Sequence, residues 1–129
     1  MNADGSGKAQ RLTKDNVRDH DPYFSPDGKQ VAWLTQTAEP SAKAIAGRWG
    51  IQIMELDEDS KPRMEIDDGH INSYPAFSPS SEHIYFHRLT YGGKVKGFRI
   101  YRIRTGGEGL TPIAAHLKGN QEYPNAYSK

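Results

Sequence analysis

The sequence predicts an all-β fold of four-stranded antiparallel blades, the architecture of a β-propeller, on three observations. The first is a repeat: Asp21-Pro22-Tyr23-Phe24-Ser25-Pro26-Asp27-Gly28 followed by Val31-Ala32-Trp33-Leu34 returns as Tyr74-Pro75-Ala76-Phe77-Ser78-Pro79-Ser80-Ser81 followed by Ile84-Tyr85-Phe86-His87. The offset is constant, from Pro22 to Pro75, Ser25 to Ser78 and Val31 to Ile84. A period near fifty residues made of short strand-like runs and Gly/Pro turns fits a propeller best among repeat architectures. The second is composition: 13 Gly, 8 Pro and a mean hydropathy of −0.82, with regular aromatic and β-branched runs, mark a turn-rich β protein rather than a disordered one. The third is the near absence of helical periodicity. Its one candidate is the Ala-rich stretch from Ser41 to Gly47, just after Pro40.

Each element has a local reason. Asp21 to Ser25 reads as a short first strand. Ser25-Pro26-Asp27-Gly28 is a tight turn in which Pro sets φ, Asp bonds its own backbone and Gly accepts positive φ. Gln30 to Gln36 is a second strand with Val31 and Trp33 on one face and Ala32 and Leu34 on the other, as suits a strand covered on both sides. Thr37 to Arg48 connects it to Trp49–Leu56, the third strand, where Ile51 and Ile53 alternate with Gln52. Pro62 to Ile66 is a fourth, more polar strand suited to an edge. The second copy runs through Tyr74–Ser78, Glu82–Arg88, a connection over Leu89–Gly97, Phe98–Arg104 and a weak strand over Gly109–Ile113. Ala9 to Thr13 reads as the last strand of a preceding blade, and Tyr123 to Ser128 as the first of a following one. The expected organisation is therefore the end of a blade over 1–20, blades over 21–66 and 74–114, and the start of another over 123–129.

Composition narrows function chiefly by exclusion. A net charge of +1 with 26% charged residues supplies no field for nucleic acid. No cysteine is present, which excludes disulfides and thiolate metal sites. No run approaches the ~18 apolar residues of a membrane helix, and no signal-peptide pattern opens the chain.

The stretches Asn2-Ala3-Asp4-Gly5-Ser6-Gly7 with Arg11-Leu12-Thr13, Asp21 to Trp33, and Ile51-Gln52-Ile53-Met54-Glu55-Leu56-Asp57 resemble the TolB-type propeller repeat of bacterial envelope and secreted proteins. Tyr74 to Pro79 and Ile100-Tyr101-Arg102-Ile103 are weaker copies. The resemblance covers nearly the whole chain. It departs at Ser80-Ser81, which replaces Asp-Gly, and in the cut third copy. It implies a periplasmic or secreted address. It would place Met1 inside a third strand, and two blades are fewer than the roughly four to eight that close a ring. The sequence is therefore expected to be a segment of a longer protein, or to build a ring with copies of itself.

In a propeller, the fourth-to-first-strand loops and the second-to-third-strand connections share one face. The former are Lys14–Asp21, Asp67–Ser73 and Ala115–Glu122, each with one histidine (His20, His70 and His116) and acceptors such as Asp19, Asp68, Asn72 and Glu122. Converging His and carboxylates could bind a divalent metal. The three His stand at unequal distances before their prolines, however, and solvated polar loops account for them. Asp19-His20-Asp21 and Asp57-Glu58-Asp59 lack the Gly and distal Glu of a calcium loop. His83, Tyr85 and His87 share one strand face, where packing between blades is favoured over a metal. The hairpin Tyr91-Gly92-Gly93-Lys94-Val95-Lys96-Gly97 is basic and aromatic but is no phosphate loop, because no Ser or Thr follows the Lys. No Gly-x-Ser-x-Gly elbow occurs. The reading is a non-catalytic scaffold that binds a protein partner through its loop face, with His20, Arg48, His70, Asn72, Tyr91, Lys94, Lys96 and His116 as contact residues. Self-association through open strand edges is also expected; no catalytic residue, metal or cofactor is assigned. Two alternatives stay open: the propeller of a prolyl-oligopeptidase-like serine peptidase, and that of a metal-dependent polysaccharide lyase.

Overall fold

The computed structural model describes residues 4–41, 47–57, 59–92 and 95–113, with 90–92 and 95–96 described by their backbone alone. Eight strands follow one another, with no helix among the described residues: β1 (Asp19–Phe24), β2 (Gln30–Ala38), β3 (Arg48–Glu55), β4 (Arg63–Ile66), β5 (Ile71–Phe77), β6 (His83–Gly92), β7 (Val95–Arg104) and β8 (Thr111–Pro112). β1–β4 pair in sequence order as one antiparallel unit and β5–β8 as a second. A single parallel pair, Trp49 with Ile71, joins the units into one mixed sheet of eight strands. β4 pairs only with β3, the edge position its polar sequence predicts.

The two-sided apolar pattern of β2 explains how the units meet. Val31 to Gln36 are all buried. Ala32 and Leu34, with Ile51, Ile53 and Ile66, share one core with Phe77, Ile84, Phe86 and Ile103 of the second unit. Val31, Trp33 and Met54 form a separate, smaller cluster. Ile84 and Phe86 are the repeat counterparts of Val31 and Trp33, so each unit contributes a different face to the shared core. Fully burying such a side chain contributes roughly 1.5–3 kcal/mol, and a repeat unit of this kind relies on its neighbour for part of that cover.

The turns repeat as well. Ser25 Oγ donates to Asp27 Oδ1 at 2.6 Å and accepts from Gln30 N–H at 2.9 Å, while Gly28 takes φ +71°. In the second unit Ser78 Oγ accepts from His83 N–H at 3.1 Å, and Ser81 holds φ +61° where the first unit has glycine. Ser81 Oγ also accepts the Asp27 N–H at 3.2 Å, linking the two turns. The Ser25 hydroxyl, then the Lys29 N–H, hold the Asp27 carboxyl below its ordinary value of 3.8. A depressed folded pKa gives stability that is present above the unfolded value and is lost as pH falls through the folded one. Asp27→Asn removes that acid-side loss; acid titration followed by circular dichroism shows it as a shallower slope below pH 3.8, and an unchanged slope contradicts the assignment.

Close approach fixes Gly50. A Cβ there would stand 2.6 Å from the Ile66 carbonyl oxygen and 3.0 Å from Met64 Sδ. The carbonyl cannot retreat without opening the β3–β4 pairing. Gly50→Ala is expected to cost about 1–3 kcal/mol, read as a lower urea midpoint; an unchanged midpoint contradicts this packing.

Several expectations change. Residues 8–14 carry no strand, so the strand read over Ala9–Thr13 is not formed among the described residues. The stretch read as a connection over Leu89–Gly97 is largely ladder, since β6 and β7 stay paired from Leu89–Phe98 out to Gly92–Val95. Backbone hydrogen bonds there need nothing from the Gly- and Lys-rich side chains. Residues 42–46 of the helix candidate and the strand read over Tyr123–Ser128 lie outside the described residues. His87 is buried, its ring 5.2 Å from that of Tyr74 and 5.6 Å from that of Phe98, so the packing it makes is with β5 and β7 of its own unit rather than between blades. Glu65, on the polar β4, is also buried: Arg63 Nε lies 2.9 Å from its Oε1, and Oε2 accepts the Gly106 N–H at 3.0 Å, tying β4 to the β7–β8 turn.

Candidate functional site

The loop end where the two units join gathers four of the predicted contact residues. Trp49, early in β3, is the hub. Its ring lies 4.4 Å from that of His20, its N–H donates to the His70 carbonyl at 3.5 Å, and its own carbonyl accepts from Asn72 Nδ2 at 3.1 Å. Arg48 precedes it and extends over Gly69; a Cβ on Gly69, which takes φ +76°, would lie 3.8 Å from Arg48 Nη1.

Local backbone geometry aims these side chains. The β1–β2 register shifts between His20 and Tyr23, and the β5–β6 register shifts between Ser73 and Ala76. Asp21 (φ +53°) and Tyr74 (φ +51°) sit inside those irregularities at equivalent places in the repeat. A bulge bends its strand and re-aims the neighbouring side chains. Here it acts just after His20 and Asn72, where β1 and β5 leave the loop end.

Beneath the surface, the buried Arg88 and Asn72 join the more exposed Asp68 in a polar network. Arg88 on β6 is 5% exposed. Its Nε donates to Asn72 Oδ1 at 3.1 Å, and its Nη2 pairs with Asp68 Oδ2. The guanidinium also stands 4.6 Å from the centre of the Tyr101 ring and 5.6 Å from that of Phe86. Asn72, 1% exposed, thus accepts from Arg88 and donates to the Trp49 carbonyl and to Asp68 Oδ1. The Asp67–His70 loop is fixed from below by a charge-assisted pair.

The two histidines are held at Nδ1. His70 Nδ1 lies 3.1 Å from the Asp68 carbonyl oxygen and 3.2 Å from its Oδ1. His20 Nδ1 lies 3.2 Å from Asp21 Oδ2. The Asp68 carbonyl oxygen can only accept, so the tautomer with its hydrogen on Nδ1 is the one that bonds it in His70. Both side chains stay over 40% exposed. Among the described residues no group of three or more His, Asp or Glu side chains is placed to hold a metal ion.

Of the remaining predicted contacts, Tyr91 and Lys96 are paired through their backbones in the β6–β7 ladder. The register carries that hairpin beyond the Asn72–Arg88 pair, toward the same end of the sheet. Lys94 and His116 lie outside the described residues. Sequence reasoning missed Trp49 and Arg88. Arg88 left no local signal, because its partners Asn72 and Asp68 lie in the preceding loop and strand and meet it only once β5 and β6 pair.

No protein-family model matches the chain, and no curated protein matches it. Among solved structures it is similar to a protein of Agrobacterium tumefaciens assigned as a TolB, with a TM-score of 0.57 at 20% identity. The similarity covers 79% of this chain and 35% of the other, so this chain spans about a third of that protein's length. At that identity the likeness shows the fold alone: an all-β, propeller-type arrangement similar to that of TolB.

Proposed function

We propose that the chain is a non-catalytic protein-interaction scaffold, two consecutive blades of a TolB-like propeller that hold a partner protein at their loop end. The observation that carries this reading is the convergence of His20, Arg48, Trp49 and His70 on a rigid support. The exposed Arg48 and His20 and the half-buried Trp49 and His70 stand over the Asp68–Arg88–Asn72 network, whose Arg88 and Asn72 are buried, and this support spares the site part of the ordering cost of binding. Arg and Trp are also the side chains enriched at the centres of protein interfaces. Backbone strain at Asp21 and Tyr74, next to these groups in both units, accords with a functional surface. The hairpin bearing Tyr91, Lys94 and Lys96, and the loop bearing His116, would extend the surface. A periplasmic or secreted address fits the family resemblance.

Photo-crosslinking tests the assignment in the cells that make the protein. A benzophenone side chain at position 48 or 70 is expected to give a discrete adduct with another polypeptide, and one at position 29, in the turn at the opposite end, none. Adducts from position 29 alone, or no adduct from 48 and 70, overturn the loop-end reading.

A further inference from the structure

The two units turn opposite faces toward each other, and each keeps the other kind of face outward. On the outward face of the first unit, Phe24 of β1 and Met54 of β3 both pair with Val31 of β2, with Trp33 beside them. Their repeat counterparts Phe77, Ile103, Ile84 and Phe86 lie in the shared core. The contrast is sharpest at the first strand, where Phe77 is 4% exposed and Phe24 66%. Phe77 shares its core with Ala32, Ile51 and Ile53 of the first unit. That covering face exists a second time in the chain: the counterparts Tyr85, Ile100 and Arg102 share the outward face of the second unit and stay half-buried. The fourth strands differ in the same sense. Leu12 and Thr13 lie beside Val31 and Trp33, as Ile66 of β4 shares the core with Ile84 and Phe86, yet they carry no strand. β8, the counterpart of β4, pairs with β7 through Thr111 and Pro112 alone, both exposed.

We infer that the chain associates head to tail with a second copy. The outward face of one copy's second unit packs on the Phe24, Val31, Trp33 and Met54 face of the next, and residues 9–13 of the latter take the place of the short β8 on that unit's β7. The occupant is a second copy because one chain carries both the covered and the covering face, and its own core holds one example of their contact. A face matched to a different face makes a heterologous contact, which closes into a ring or grows into a filament. Rings of roughly four to eight units correspond to about two to four copies. Docking buries Phe24 and gives the backbone of residues 9–13 a ladder partner. His87 and Arg102 stand where the first unit has Leu34 and Ile53, so the covering face is more polar than its internal counterpart and the association depends on protein concentration. The inference rests on the propeller-type fold and not on the loop-end partner.

Sedimentation velocity on the full chain tests it. The mass is expected to rise with concentration from 14.4 kDa to a multiple of it. Phe24→Asp, a change at an exposed side chain, should hold the chain at the single mass, and Tyr85→Glu should do the same from the other face. Mixed in equal amounts, the two variants keep one intact face each and should form a heterodimer that neither forms alone. In the assembled natural chain the amides of residues 9–13 should gain protection from hydrogen exchange, and in Phe24→Asp they should not. A single species of 14.4 kDa at every concentration up to about 1 mM overturns the inference. So does association that Phe24→Asp leaves unchanged, the result expected of pairing through bare strand edges, and so does a mixture of folded variants without heterodimer. If Tyr85→Glu does not fold, the mass of Phe24→Asp and the exchange at residues 9–13 decide. Arg48 and His70 take no part in this readout, so failure here leaves the crosslinking test of the loop end standing, and failure there leaves this one standing.

Discussion

Asp68→Ala is expected to lower the unfolding free energy by about 2–3 kcal/mol, more than the nearly isosteric Arg88→Met. Removing the carboxylate leaves a guanidinium buried without its counter-ion, and breaking a buried pair from one side costs about 3–5 kcal/mol. The lower figure applies because the Asp68 side chain keeps 29% exposure, against 6% for Arg88. Arg88→Met instead removes the buried charge, fills similar volume beside Phe86 and Tyr101, and leaves a carboxylate that water can reach. The order of the two variants is the informative result. Urea unfolding monitored by circular dichroism measures both, and an Arg88→Met cost exceeding that of Asp68→Ala contradicts the account of the network. The same experiment bears on function, because the carboxylate holds the Asp67–His70 loop. Asp68→Ala should therefore also weaken crosslinking from position 70.

Phe86→Ala carries the other large expected effect, about 3–5 kcal/mol. Phe86 has no exposed surface, sits in the core shared by the two units, stacks on Tyr101 at 6.1 Å, and lies under the Arg88 guanidinium. Its loss opens a cavity between units rather than within one, where neither sheet can collapse to fill it. Because Phe86 and Asp68 both act on Arg88, their effects should not add; residues sharing a partner commonly couple by 0.5–3 kcal/mol. A double variant whose cost equals the sum of the singles would place Arg88 outside that coupling.

The fold was legible where local chemistry repeats. The Ser-Pro turns, the alternation of Ile51 and Ile53, and the two-sided apolar run from Val31 to Leu34 are written in adjacent residues, and the strands they predict formed. The hairpin between β6 and β7 was read, but the reach of its ladder was not, because Gly92, Lys94 and Lys96 resemble loop composition, although a ladder asks only for backbone groups. Residues 9–13 show the reverse: strand-like composition alone does not make a strand, because a ladder needs a paired neighbour. At the candidate site, His20, Arg48, His70 and Asn72 were visible from the loop positions the repeat gave them. Arg88 was not, because the paired strands create its role. Ser81 lies between these cases. The sequence marked it as a departure from glycine, and only the fold shows that it keeps the left-handed turn and bonds Asp27 of the other unit.

The central physical claim is that the two four-stranded units are stable only through the core they share. Amide hydrogen exchange on Leu34→Ala tests it most directly. Leu34 belongs to the first unit and is 1% exposed, so its truncation should cost about 2–5 kcal/mol. A shared core predicts that the slowest amides of β6 and β7, in the other unit, lose the same protection as those of β2 and β3. Loss of protection confined to β2 and β3, with β6 and β7 exchanging as in the natural chain, would contradict it.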